Sequence, residues 1–112
     1  MAVGDITEKR LGGPQQPGVA TTTLVTVPSA HRYLVKQIII CNTSSSTPYT
    51  ITMAIGTAAT AANMFMAALS ISPNETLTLD TALVLEAAET IQSLASLANV
   101  LTVIINGWDH EI

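Results

Sequence analysis

The segment HRYLVKQIIICN, residues 31–42, decides how this sequence folds. Its first half sets Tyr33 and Val35 against Leu34 and Lys36, which is the period-two alternation of a strand with one face in a core. Its second half, IIIC, is apolar at every position, so this end is predicted to be buried on both faces. Such a strand needs neighbours on both sides. The segment therefore predicts the centre of a β-sheet.

Further predicted strands lie along the rest of the chain, and they are separated by turn residues such as Pro28, NTSSSTP and SPNE. These strands are TTTLVTV (21–27), YTITMAI (49–55), MFMAALSI (64–71), TLTLD followed by ALVLE (76–86), and NVLTVIINGW (99–108). ALVLE either continues TLTLD or forms a separate strand. We expect residues 31–42 and 49–55 to form a hairpin. Seven or eight short strands of this kind predict an all-β antiparallel sandwich or barrel.

One stretch, LEAAETIQSLASLANVL at 85–101, conflicts with an all-β chain. Ile91, Leu94 and Leu101 recur at helical spacing, and two glutamates stand where the first turn of a helix favours acids. A single helix is, however, difficult to place between two sheet faces, and serine, threonine and asparagine interrupt the pattern. We therefore predict a turn at EAAE and a strand at 90–96, with a helix as the alternative.

The first twenty residues carry a different signal. LGGPQQPG (11–18) contains two prolines and three glycines, which disfavour a helix or a central strand because proline lacks the N–H donor and glycine loses the most entropy on folding. We expect residues 1–20 to form an extended N-terminal arm outside a single β-sandwich domain at 21–112, with a disordered tail as the alternative. The candidate partner-binding residues of the arm are Val3, Ile6, Leu11, Pro14, Gln15, Gln16 and Pro17.

Composition argues against several classes of partner. The chain of 112 residues is long enough for one core, only 11 % of it is charged, and its net charge is −4. All four basic residues precede position 37, so no basic stripe is available for nucleic acid. The uncharged run at 51–69 fits a pair of strands better than a membrane span, and no apolar signal segment is evident. We therefore expect no nucleic-acid partner, no membrane partner and no signal peptide.

No group of side chains predicts catalysis. Asp109, His110 and Glu111 are consecutive, but neighbours in an extended chain point to opposite faces, so we interpret them as a solvated tail. We interpret His31 as a surface turn residue and Cys41 as a buried strand residue. We expect no enzymatic activity, no cofactor and no metal site.

Four segments, VTVPSA, VKQIIICNT, SPNETLTLDTALVLEAAETI and VLTVIINGW, together resemble a small structural module of tailed bacteriophages over residues 22–108. The resemblance implies a jelly-roll β-sandwich with a strand at 90–96. It also implies a non-enzymatic virion protein made in the host cytoplasm, most directly a capsid decoration (cement) protein on the assembled head. A neck, tail or fibre accessory protein, which could bind a receptor, is the alternative. The implied partners are the major capsid protein or other virion proteins, and further copies of the chain in a homotrimer.

Two positions depart from the pattern of that module. Ser29-Ala30 replaces its usual Ala-Gly, and Ala88 stands where the module has a turn glycine. Because glycine adopts positive φ without steric cost, these alanines bring the glycine-dependent turns into question. A third hypothesis, a small metal-dependent jelly-roll enzyme, requires a converging set of His and Glu side chains that the sequence does not indicate.

Overall fold

The computed structural model describes residues 4–56 and 62–112, and within them it is all-β, with two four-stranded antiparallel sheets and no helix. The strands are β1 (Ile6–Gln15), β2 (Thr22–Thr26), β3 (His31–Asn42), β4 (Tyr49–Ile55), β5 (Met64–Ile71), β6 (Thr76–Leu85), β7 (Thr90–Ala95) and β8 (Leu101–Glu111). TLTLD and ALVLE thus belong to one strand, β6.

The strand order identifies the sandwich as a jelly roll. Sheet A has the order β1-β8-β3-β6, and sheet B has the order β2-β7-β4-β5. The pairs β1·β8, β2·β7, β3·β6 and β4·β5 are nested, as if one long hairpin had been wrapped into two sheets. The predicted jelly-roll sandwich is confirmed, and β3 lies between β8 and β6 as its pattern indicated.

The predicted hairpin of β3 and β4 is wrong, because the two strands lie in opposite sheets. Asn42 ends β3 and is fully buried. Its Nδ2 donates hydrogen bonds to the carbonyls of Thr47 (3.0 Å) and Ile71 (2.9 Å), and its Oδ1 accepts one from the backbone N–H of Ser44 (2.9 Å). This side chain holds the connection that carries the chain from one sheet to the other.

The core lies between the inward faces of the two sheets. Fully buried aliphatic residues supply it, among them Ile38, Ile40, Leu85 and Ile105 from sheet A and Ile51, Met53 and Ile91 from sheet B. Each such side chain stabilises the fold by about 1.5–3 kcal/mol relative to an exposed one. A register shift between Val35 and Gln37 turns both Lys36 and Gln37 outward, so the alternation changes phase in the middle of β3.

The stretch with helical spacing forms a strand, as predicted. In β7, Ile91, Ser93 and Ala95 are all buried and lie opposite the inward residues of β4, so the inward face recurs at every second position and not at helical spacing. The EAAE turn is also confirmed, since the backbone N–H of Glu89 donates to the carbonyl of Glu86 (3.1 Å). Ala88 (φ 68°) in this turn and Ala30 (φ 61°) before β3 both have the left-handed conformation. The structure therefore retains a glycine-type backbone at both positions with alanine in place.

The N-terminal segment requires a correction, because it forms a strand of the domain's own sheet. β1 pairs antiparallel with β8, from Ile6 opposite His110 to Gln15 opposite Val103. The expected division into an arm at 1–20 and a domain at 21–112 therefore does not describe residues 6–15. An edge strand tolerates glycine and proline because one side of its backbone has no strand partner.

The LGGPQQPG segment closes one edge of the sandwich. A side chain at Gly12 would collide with the backbone of Leu24 in β2, and one at Gly13, whose φ is 80°, would collide with the backbone of Val103 in β8. Further along, the carbonyl of Gly18 accepts a hydrogen bond from the backbone N–H of Ala95 (2.9 Å). The glycines thus permit the close approach by which the chain passes from sheet A to sheet B.

Candidate interaction surfaces

Four of the candidate arm residues are engaged within the chain itself. Leu11 is half-buried and packs against the core, and Pro17 is buried. Gln15 Nε2 donates to a backbone carbonyl of β2 (3.2 Å), and Gln16 Nε2 donates to a threonine hydroxyl of β8 (3.3 Å). These contacts place the four residues in the closure of the sandwich.

The remaining arm residues are distributed differently. Ile6 lies on the outer side of β1 with 56 % of its surface exposed, and Pro14 is also exposed. Val3 lies outside the described residues. Of the six candidates that the structure describes, Ile6, Pro14 and Gln16 are exposed, and the six do not come together in one patch.

Ile6 belongs to a larger surface, the outer face of sheet A. The strand registers align one residue from each strand, or from its immediate end, into rows that cross the sheet. The upper row is Ile6, His110, Arg32 and Glu86, the middle row is Glu8, Trp108, Leu34 and Val84, and the lower row is Arg10, Asn106, Gln37 and Asp80. We call these three rows the sheet A face.

Apolar side chains occupy the centre of the sheet A face. Trp108 (41 % exposed), Val84 (48 %) and Ile6 surround a groove of about 180 Å³, and Leu34 forms its floor between them. An exposed apolar patch with a polar rim is typical of a protein-binding surface. Sequence analysis missed this patch because its members come from four separate strands. Within the sequence, the period-two alternation of β8 turns the even-numbered positions outward, and this pattern could have predicted that Trp108 is exposed.

Charges surround the apolar centre. A depression of about 630 Å³ beside Trp108 is lined by both signs of charge, including Arg10, Lys36, Glu8 and Asp80. Arg32 Nε donates to Glu86 Oε2 (2.9 Å) in the upper row. Among the described residues, the ion pairs include neither Arg10 nor Asp80, so these two charged side chains have no ion-pair partner there.

The outer face of sheet B is different, because no strand of sheet B contains a charged residue. Every charged side chain of the protein lies on sheet A or in a connecting segment. Thr26 and Ser70 are exposed on this face, and Met64 and Phe65 are each 37 % exposed on its edge strand β5. We call this uncharged surface the sheet B face.

The predicted solvated tail at residues 109–111 is wrong, because β8 continues to Glu111. Asp109 points inward and is only 3 % exposed. Its Oδ1 lies 2.7 Å from His31 Nδ1, and its Oδ2 lies 3.5 Å from Lys9 Nζ, which also lies over the ring of Tyr33. His31 is therefore a half-buried partner of a buried carboxylate and not a free turn residue. This cluster ties together β1, β3 and β8.

In the described part of the chain, neither Asp109 nor Cys41 belongs to a cluster of metal-type ligands. His110 points outward while Asp109 points inward, so the consecutive residues cannot converge on one ion. Within residues 4–56 and 62–112, no group of three or more His, Cys, Asp or Glu side chains could hold a metal, and no helix could cross a membrane. Cys41, expected to be buried, is half-buried on the outer side of β3.

Comparison with known proteins gives a likeness of fold. No protein-family model and no curated protein matches this sequence. A similar solved structure, described as showing that Bacillus endospore appendages form a novel family of disulfide-linked pili, superposes with a TM-score of 0.55 over 99 % of this chain and 92 % of that chain, at 8 % sequence identity. At this identity the likeness concerns the fold alone.

Proposed function

We propose that this chain is a non-enzymatic structural subunit of a bacteriophage virion that decorates the assembled head and binds the major capsid protein through the sheet B face. The observation that carries the proposal is the separation of charge: sheet B has no charged residue in any strand. A neutral face loses no ion hydration when a flat protein surface covers it. The resemblance of residues 22–108 to a phage structural module supports the virion as the setting.

The sheet B face has the groups that such a contact needs. Met64 and Phe65 supply apolar area, and the exposed hydroxyls of Thr26 and Ser70 supply hydrogen-bonding groups on opposite edge strands of the sheet. Buried interfaces are depleted in charged residues and enriched in methionine and aromatic residues, as this face is.

A neck, tail or fibre component is the alternative, and a solved protein of similar fold belongs to a family of disulfide-linked pili. The chemistry of that pilus does not transfer directly. This chain has one cysteine, Cys41, and can therefore form at most one disulfide with another copy. One disulfide per chain links two copies into a dimer but cannot link a filament. Any fibre built from this chain would therefore need non-covalent contacts.

The proposal is tested by binding of the protein to heads that lack it. The variant with Thr26→Glu and Ser70→Glu places two carboxylates on the sheet B face, and we expect its affinity for heads to fall at least about tenfold because these charges would be buried unpaired. The control variant, Ser45→Glu with Ala87→Glu, adds the same charge at exposed turn positions and is expected to bind normally. Equal binding by both variants would contradict the assigned face.

Labelled protein on intact virions then separates the two locations. Label spread over the head surface is expected, whereas label confined to the neck or tail would favour the alternative. Calorimetric titration with zinc, calcium and manganese addresses the enzyme hypothesis. A tight stoichiometric site that disappears with His110→Ala would refute a non-enzymatic role.

A further inference from the structure

We propose that the sheet A face binds a second copy of this chain, face to face, about a two-fold axis that runs parallel to the strands between β8 and β3. This inference does not rest on the proposed function, which uses the opposite face of the sandwich. The proposed assembly is a dimer, in place of the homotrimer that the phage resemblance implies.

The lower row carries two charges, Arg10 and Asp80, that form no ion pair among the described residues. Arg10 lies on β1 and Asp80 lies on β6, which are the two edge strands of sheet A. Three inter-strand spacings separate them by about 14 Å, so they cannot pair within one chain. They stand at the same height along the strands, one at each edge of the sheet.

A two-fold axis parallel to the strands joins these charges between copies. Such an axis exchanges the two edges of the sheet and keeps each row at its own height. Arg10 then lies over Asp80 of the second copy, and Asp80 lies over Arg10 of the second copy. The two contacts are equivalent, as an isologous interface requires.

The same operation covers the apolar centre of the face. Trp108 and Leu34 are neighbours in the middle row on β8 and β3, the two strands beside the axis. The axis places Trp108 over Leu34 of the second copy, twice. The partly exposed indole ring would thus be buried at the centre of the contact, which is where aromatic residues contribute most binding energy.

The other two-fold arrangement is disfavoured by charge. An axis that crosses the strands exchanges the upper and lower rows. It places Glu8 over Glu8 of the second copy and Glu86 over Asp80 of the second copy, which opposes like charges across an interface. Charge complementarity therefore selects the axis parallel to the strands.

The outer side of sheet A has enough area to form a stable dimer interface. Four strands span about 19 Å and the eleven residues of β8 span about 35 Å, so the whole outer side of sheet A, which extends beyond the three rows, offers about 650 Å² per copy. Two such faces bury about 1,300 Å² in total, within the range of specific interfaces.

The experiment exchanges the two charges, using the full chain and measuring mass by sedimentation equilibrium. We expect the wild-type protein to be a dimer at micromolar concentration. Arg10→Asp alone and Asp80→Arg alone should each weaken pairing at least about tenfold, because each places like charges at both contacts. A mixture of the two variants should pair again, since one copy then carries only acids and the other only bases at these positions. Glu75→Arg, in the turn before β6, is the control and should pair as wild type does.

The sole tryptophan supplies a second readout. Dilution of the wild type should shift Trp108 emission to longer wavelength as the ring becomes exposed. The variants should show the shifted emission before dilution while keeping the wild-type circular dichroism spectrum. A wild-type mass of one or three chains, or a variant mixture that stays unpaired, would overturn the proposal. Loss of head binding by sheet B variants would leave this result unchanged, so the two proposals fail separately.

Discussion

Replacement of Asn42 by alanine tests whether one buried amide holds the connection between the two sheets in place. The substitution removes the two hydrogen bonds donated to the Thr47 and Ile71 carbonyls and the one accepted from Ser44, and the pocket is closed to water. Each lost neutral bond costs about 1 kcal/mol, so we expect the free energy of unfolding to fall by about 3 kcal/mol.

The corresponding change in melting temperature follows from the length of the chain. An unfolding entropy of about 2.1 cal/mol/K per residue over 112 residues converts 3 kcal/mol into a decrease of about 13 °C. Thermal unfolding followed by circular dichroism, together with urea denaturation at 25 °C, measures both quantities. Asn42→Asp should be at least as unstable, because a carboxylate accepts the Ser44 bond but faces two carbonyl oxygens without a proton to donate.

The control for Asn42 is Asn106→Ala. Asn106 is half-buried on the sheet A face and donates one hydrogen bond, to Gln37 Oε1 (3.2 Å), so its loss should cost less than about 1 kcal/mol. If Asn42→Ala costs no more than this control, the amide does not hold the connection between the sheets, and the reasoning from its three bonds is refuted.

Three further substitutions, one of them with a matched control, have expected effects on the free energy of unfolding. Ala88→Gly should raise stability by about 0.5–1 kcal/mol because it relieves a left-handed alanine, whereas the adjacent Ala87→Gly, outside that region, should lower it by a similar amount in urea denaturation. Ser93→Ala should raise stability by about 1 kcal/mol, since the Ser93 hydroxyl is fully buried and has no hydrogen-bond partner within residues 4–56 and 62–112, and unchanged or lower stability would contradict this. Asp109→Ala should lower it by about 2 kcal/mol, because a buried carboxylate with histidine and lysine partners is lost, and a melting temperature equal to wild type would argue against a structural role for the cluster.

The first and last residues of several strands could be predicted correctly, because the patterns that mark them are local in sequence. The strands at 31–42, 49–55 and 64–71 combine alternation or continuous apolarity with turn residues at their ends, and both signals come from neighbours in sequence. The strand at 90–96 was harder, since its spacing also fits a helix. Its burial against β4 decides in favour of the strand.

The partners of the strands could not be predicted in the same way. Alternation indicates which side of a strand is apolar, but it does not indicate which other strand pairs with that strand. The incorrect β3–β4 hairpin shows this, since both strands were located correctly and assigned to each other wrongly. The composition of each candidate surface was visible in the sequence, but the alignment of Trp108, Leu34 and Val84 into one row depends on three separate registers.

The sequence by itself determined the all-β class, most strand positions, the turn at EAAE and the absence of charge from 37–74, because each depends on side-chain types and their local spacing. Tertiary structure alone decided that Ile6–Gln15 is a strand, that Asp109 is buried and that every charged residue within a strand lies in sheet A. β1 has charged, glycine and proline residues that do not favour a strand locally. It becomes one because the edge of β8 offers a row of backbone donors and acceptors that none of the other described strands satisfies.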